Sequence, residues 1–256
     1  MGVWAVVDLT GDLTLWGWLL ALLCSALQGM SKAGIAGLGL LGTPLLVTLF
    51  GARPAIGIML PLLVVGDVFA VLYYHRHANW RMLSRLVPIA FAGVIIGSVI
   101  MRHITDGALR ISVGAIVMIM VVLAVLRDRG VIPDERIPKG WGMAMVAGLV
   151  AGITTMLAHA AGPVMQVYFL AMGLRKNEFI GTGAWFFLLV NSFKVPFFVN
   201  QGQITRATLT VDLYLVLGIP LGVAAGIWLV NRLSNRAYVI WVEAMTALAA
   251  LRLVFG

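Results

Sequence analysis

The chain has 256 residues, of which 61% are hydrophobic and 11% charged, and a net charge of +8. Soluble domains carry about 25% charged residues, so this composition excludes a soluble globular fold. The Lys and Arg residues sit in short loops between oily runs, with no basic patch interleaved with aromatics, which excludes a nucleic-acid partner.

The apolar runs do not alternate with period two, so a membrane barrel is excluded and an all-α polytopic membrane protein is predicted. In chain order the first half holds a pair of segments at 14–30 and 34–50, then spans at 54–74, 84–101 and 108–126. A charged linker with two prolines, RDRGVIPDERIPK, follows. The second half holds a pair at 140–157 and 163–173, then spans at 179–199, 209–230 and 237–255. The domains expected are a first transmembrane repeat at 1–128, a cytoplasmic linker at 129–139 and a second repeat at 140–256.

The two halves match one another. Pro44 pairs with Pro163 and Gly29 with Gly148 at an offset of 119; Gly57 with Gly181 and Asp67 with Asn191 at 124; Gly93 and Gly97 with Gly222 and Gly226 at 129. Five segments per half turn the second copy upside down, giving two inverted-topology repeats, each a broken or re-entrant pair followed by three transmembrane helices. With the N-terminus outside, the inner loops hold Arg76, Arg81, Arg85, Arg127, Arg129, Arg136, Lys139, Arg175, Lys176, Arg232 and Arg236. The outer ones hold Arg53, Arg102, Arg110, Arg206 and Arg252. Eleven against five is the bias the positive-inside rule demands, and it places both termini in the periplasm.

The stretch GMSKAGIAGLGLLGTP, residues 29–44, contains G-x-G-x-x-G at Gly37, Gly39 and Gly42. A dinucleotide fingerprint follows a strand and precedes an acidic residue about 20 positions on. Here both flanks are membrane runs, so nucleotide binding is excluded. Each glycine in a helix costs about 1 kcal/mol, and five of them with Pro44 predict a non-helical segment. Non-helical backbone at membrane depth lines cavities, and its free N–H groups suit an anion. Pro44 and Pro163 each stand near the start of the second member of a pair, where proline is tolerated.

Ionisable and polar groups inside spans are costly and mark sites. Lys32, in the first break, either attracts an anion or snorkels to the cytoplasmic edge. His159, in the second break, either donates to a substrate, carries a proton or is a satisfied structural group. Thr154 and Thr155 offer hydroxyl donors or bond back to their own helix. Asp67 and Asn191 are repeat mates expected to face each other. Lys194 stands three residues from Asn191, hence on the same helix face. It pairs with Asp67, meets the substrate or reaches the outer interface. Asp67 balances a lysine or carries a proton. The expected substrate-binding set is therefore Lys32, Gly34, Gly37, Gly39, Gly42, Thr43, Pro44, Thr154, Thr155, His159, Gly162, Pro163, Asn191 and Lys194, with Asp67 and His159 for proton coupling. The histidines are His75, His77, His103 and His159. No H-E-x-x-H pair or nucleophile–base constellation is present, so neither an enzyme nor a metal or other cofactor is expected.

The motifs SKAGIAGLGLLGTPLL, TTMLAHAAGPVMQVYFL and FIGTGAWFFLLVNSFKVPFF, in this order, resemble the paired signatures of the TauE/SafE sulfite exporter family. Many members read Gly-Gly-Pro-Pro in the second motif, where this chain has Ala161-Gly162-Pro163-Val164. The resemblance implies a carrier in the bacterial inner membrane that exports sulfite or organosulfonates, coupled to the proton motive force. The alternative is a carrier or importer of another small organic anion. The partners implied are a sulfite-like anion and membrane lipid, with a homodimer left open.

Overall fold

A computed structural model describes residues 13–35, 38, 39, 45, 46, 49–105, 140–234, 237 and 240. It contains helices α1 (Leu15–Lys32), α2 (Ala52–Tyr74), α3 (Trp80–His103), α4 (Trp141–Ala158), α5 (Ala161–Ala171), α6 (Lys176–Asn200), α7 (Arg206–Leu215) and α8 (Gly218–Arg232), with a short 3-10 turn at His75–His77 after α2. Among the described residues four helices are long and apolar enough to cross a membrane, or five if the bent pair α7–α8 counts as one span. The chain is thus an all-α polytopic membrane protein. The expected spans 108–126 and 237–255, apart from helical positions 237 and 240, lie outside the described residues, as does the 129–139 linker.

Capping chemistry explains several helix starts. Thr14 accepts from the Gly17 N–H at 3.3 Å, and Asn79 from the Met82 N–H at 3.0 Å. Thr205 and Thr208 form a reciprocal capping box at the start of α7. Asn79 also donates to Glu178 Oε1 at 2.8 Å, and its own N–H donates to Thr182 Oγ1 at 2.9 Å. The turn before α3 is therefore fastened to α6.

Glycines set the closest approaches. A Cβ on Gly222 would strike the Ala26 carbonyl, and one on Gly29 the Ile219 carbonyl. In the same way Gly93 meets the Leu149 carbonyl and Gly152 the Ala90 carbonyl. So α1 lies backbone to backbone on α8, and α4 on α3. In lipid, where no hydrophobic drive separates helix from solvent, such small-residue contacts are what hold helices together. The outward faces carry exposed Leu15, Leu23, Leu72, Leu213 and Leu221, as a lipid-facing surface requires.

Two expectations need correction. The 29–44 stretch is not uniformly non-helical: α1 runs on through Lys32, and Leu38 and Gly39 are helical again. Gly29 tolerates the helix because its missing side chain is used for the α8 contact. The 209–230 span is not continuous either. It breaks at Val216 and Leu217, and α7 and α8 meet at a bend of 44°. Pro220 has no N–H to offer the Val216 carbonyl, which favours a break at that turn, although Pro61, Pro88 and Pro196 are carried inside continuous helices. The Ile219 N–H turns to Val216 O at 3.1 Å instead, and the Ser25 hydroxyl donates to the orphaned Leu215 carbonyl at 2.6 Å.

Candidate functional site

Two helix ends stop inside the protein and face each other across a cavity. The first is the C-terminus of α1. Gly34 has φ 107, with its N–H on Ser31 O at 3.1 Å and the Ile35 N–H on Met30 O at 3.2 Å. This pair of bonds is a Schellman stop, which requires a left-handed residue at that position. It leaves Lys32 as the last helical side chain. The second end is that of α4, where His159 takes φ 53 and ψ 27. His159 is the one non-glycine residue with positive φ among those described. Its N–H reaches Thr155 O at 3.1 Å, and Ala160 N–H reaches Thr154 O at 3.3 Å. Helix α5 then starts at Ala161, with no side chain capping its first turn.

Between these ends lies a cavity of about 120 Å³. Its polar wall comes from Gln28, Ser31, Lys32, Asp67, Thr155, His159, Gln166 and Asn191. Its apolar wall comes from Met59, Leu63, Met165, Phe169, Phe179, Ile180 and Phe187. On the scale where one water needs about 10–15 Å³, the space admits a small anion together with some water.

Lys32 Nζ forms an ion pair with Asp67 Oδ1 at 2.8 Å and lies 4.6 Å from the centre of the Phe187 ring. The aliphatic stem reaches α2 because Gly66 has no side chain; a Cβ there would sit 3.0 Å from Lys32 Cγ. The other Asp67 oxygen accepts from Asn191 Nδ2 at 2.7 Å. Lys194, fully buried, stands behind this wall. Its ammonium meets Thr155 Oγ1 at 3.1 Å, His159 Nδ1 at 2.9 Å and Asn191 Oδ1 at 3.0 Å. Three donors meet three acceptors, so Lys194 has no hydrogen to spare for a ligand. His159 Nε2 lies 3.1 Å from the Ile56 carbonyl. A carbonyl can only accept, so Nε2 carries the hydrogen and Nδ1 is the acceptor for Lys194. Lys32 and Asp67 thus face the cavity as an ion pair, and the Lys194 amine stands behind the wall they share with Asn191, Thr155 and His159.

Of the residues picked out by sequence, Lys32, Gly34, Gly39, Asp67, Thr155, His159, Gly162 and Asn191 line this cavity. Lys194 does not line it but holds three of the groups that do or adjoin them. Lys194 neither pairs directly with Asp67 nor reaches the outer interface. Lys32 does not extend to the cytoplasmic edge but turns inward to Asp67. Thr154 is buried and donates to the Ala151 carbonyl of its own helix at 3.2 Å, away from the cavity. Pro163 is the third residue of α5. Gly37, Gly42, Thr43 and Pro44 lie outside the described residues. Sequence reasoning passed over Gln28, whose Nε2 holds the Gly39 carbonyl at 2.9 Å, and Ser31 and Gln166. Their signal was an uncharged amide or hydroxyl inside an apolar run, weaker than a charge but of the same kind. Among the described residues no cluster of three or more His, Cys, Asp or Glu side chains could hold a metal ion.

The model of one protein family, described as sulfite exporter TauE/SafE, matches residues 19–253 of this chain. No curated protein and no solved structure matches it.

Proposed function

The chain belongs to the TauE/SafE sulfite exporter family, and from that premise we propose that it exports small sulfur-containing anions, sulfite or organosulfonates, across the cytoplasmic membrane. The observation that carries this reading is the Lys32 ammonium facing a cavity between two internal helix ends, among neutral hydrogen-bonding groups. Lys32 is the one cation among the described residues that lines the cavity. An oxyanion entering there competes with Asp67 for the Lys32 ammonium, a charge-assisted contact strengthened by low dielectric. Thr155, Ser31, Gln28 and Gln166 stand around as hydrogen-bonding groups. Lys194 acts through Thr155, His159 and Asn191, which it orients. The cavity extends to Phe179 in the first turn of α6.

Transport by alternating access requires two halves that rock about the site. The inverted-repeat arrangement is supported by the crossed packing, and the periplasmic placing of both termini by the charge bias of the loops. Each half sends its first helix, α1 or α4, against a glycine pair in the other half, Gly222 and Gly226 or Gly93 and Gly97. Proton coupling through Asp67 or His159 follows from their place beside the anion site. A second reading, a carrier of another small organic anion, is favoured by the wall of Met59, Met165, Phe169, Phe179 and Phe187, which suits a short apolar body.

The test is uptake of labelled sulfite, and of a short alkyl sulfonate in parallel, into inside-out vesicles. Saturable uptake by the wild type, lost in Lys32→Ala, is expected. Saturable sulfite uptake of equal rate in both would remove the lysine from the mechanism. Uptake of neither sulfite nor the sulfonate, with saturable uptake of a short alkyl carboxylate offered alongside, would select the second reading.

A further inference from the structure

Asp212 does not line the Lys32 cavity and was not singled out by any sequence motif. It belongs to α7, whose buried residues Thr208, Val211, Asp212 and Leu215 fall at the spacing of one helix face. That face meets an apolar cluster of Ala21 and Cys24 from α1, Ala55, Ile58, Met59 and Leu62 from α2, and Val211 and Leu215 from α7 itself. Asp212 is 7% exposed, and neither of its carboxyl oxygens has a hydrogen-bond partner. The charged or titratable groups on the packed elements are Cys24 and Lys32 of α1, Arg53, Asp67, Tyr73 and Tyr74 of α2, and Arg206 and Tyr214 of α7. None of them hydrogen-bonds or ion-pairs with Asp212 among the described residues, and Lys32 is held by Asp67. A carboxyl group without donor or counter-ion, set in an apolar cluster, is tolerated there as the neutral acid and not as the anion.

Its position ties it to movement. Asp212 stands one turn before the α7–α8 break, and its carbonyl takes the Val216 N–H at 2.8 Å, the last regular bond before the break. A carbonyl group freed by the break, that of Leu215, is held by the Ser25 hydroxyl at 2.6 Å. Ser25 and Lys32 are seven residues apart on α1, hence on one face. A change of hydration at Asp212 therefore acts on a bent span that is bonded to the helix carrying the anion's lysine.

We infer that Asp212 is a proton-binding site of this carrier, separate from the anion cavity and placed at the bend through which α7 and α8 act on α1. The proton is held while the cluster is closed. It is released when movement about the bend opens the carboxyl to water, so this proton, unlike one carried at Asp67 or His159, is bound away from the anion and is linked to it through α1. The coupling part of this inference rests on the proposed transport function; the proton site does not.

The experiment treats the full-length protein, purified in lipid nanodiscs, with dicyclohexylcarbodiimide. The carboxyl O–H of a protonated acid adds across one C=N bond of this apolar reagent, oxygen to carbon and proton to nitrogen, and the acyl group of the O-acylisourea then migrates to nitrogen, with no leaving group, to give a stable N-acylurea located by peptide mass spectrometry. The expected result is an adduct at Asp212 at about pH 6 that declines by about tenfold per pH unit once its titration midpoint is passed, with Asp67 unmodified because it is ion-paired. No adduct at Asp212, or the same adduct yield up to about pH 9, overturns the proton site. In vesicles, Asp212→Asn is expected to reduce sulfite accumulation driven by a pH gradient by about tenfold, with anion affinity of the purified protein kept within about twofold. Undiminished gradient-driven accumulation in that variant overturns the coupling. Labelling needs no sulfite transport and no variant, so an adduct at Asp212 in a protein that carries no sulfite upholds the proton site and removes only the exporter reading.

Discussion

The two internal helix ends solve one geometric problem with different residues. At the end of α1, glycine takes the left-handed position and the neighbouring side chain, Lys32, keeps some exposure to the cavity, at 11%. At the end of α4, His159 itself takes the left-handed position, and its ring is fixed between the Ile56 carbonyl and Lys194. Left-handed backbone at a non-glycine residue costs about 1–3 kcal/mol and persists where surroundings over-determine it. The first end therefore presents a charge able to change partners, and the second supplies a rigid wall. Their difference gives each a separate experimental signature.

The largest effect is expected at the first end. Lys32→Ala removes the one cavity-lining cation among the described residues and leaves Asp67 buried without its counter-ion. Truncating one member of a buried charge pair costs about 2–5 kcal/mol, so sulfite affinity should fall by about 30-fold or more. The change also strains the fold. The double variant Lys32→Ala/Asp67→Asn separates the two: it is expected to regain melting temperature in detergent but not sulfite binding by calorimetry. Recovery of binding in the double variant would show that Lys32 serves Asp67 alone.

At the second end the expected signature is stability. His159→Ala forces alanine into φ 53 and strips a hydrogen bond from both Lys194 and the Ile56 carbonyl. Each buried group left without a partner costs about 1–3 kcal/mol, so a large drop in melting temperature is expected. His159→Asn, which tolerates the left-handed region and offers a polar side chain, should lose less. If both variants melt like the wild type, the wall is not rigid and the contrast between the ends disappears.

Asp67→Asn should shift the balance in the opposite direction to Lys32→Ala. Without the carboxylate, Lys32 has no anionic competitor for the substrate, and sulfite should bind more tightly by about threefold to tenfold, or roughly 1 kcal/mol. Weaker binding instead would mean that Asp67 positions Lys32 and does not compete for it.

Much of this contrast was legible before any coordinates. The charges inside oily runs pointed to Lys32, Asp67 and Lys194, and the repeat to Asn191, because burying such polar groups is costly and they need partners. Their actual pairing was not legible, since whether Lys194 meets Asp67 or His159 depends on side-chain reach at a helix contact. The break near Lys32 was visible in its glycines, but Gly29 was misread. A glycine that opens a loop and one that admits a neighbouring backbone look alike in sequence, and contact with α8 decides between them. The α7–α8 bend was missed although Pro220 stood in view, because proline near the start of a helix and proline inside a span give the same local pattern. Asp212 was missed for a different reason: it has no motif, and only its burial without a partner marks it.

The smallest expected effect separates two adjacent threonines that sequence alone treated as equivalent. Thr155 lines the cavity and accepts from Lys194, whereas Thr154 donates within its own helix to Ala151. Thr155→Val takes one of the three acceptors from a buried ammonium, and should cost about 1–3 kcal/mol of stability and weaken sulfite binding as well. Thr154→Val conserves shape and removes a bond that slightly strains a helix, so its melting temperature and affinity should stay within about 0.5 kcal/mol of wild type. The helical step of about 100° per residue puts the two hydroxyls on different sides of α4, and the pair of variants reads that step directly. Equal effects from both would mean that the end of α4 is rotated relative to the cavity, and the assignment of Lys194 as a wall-holding residue would go with it.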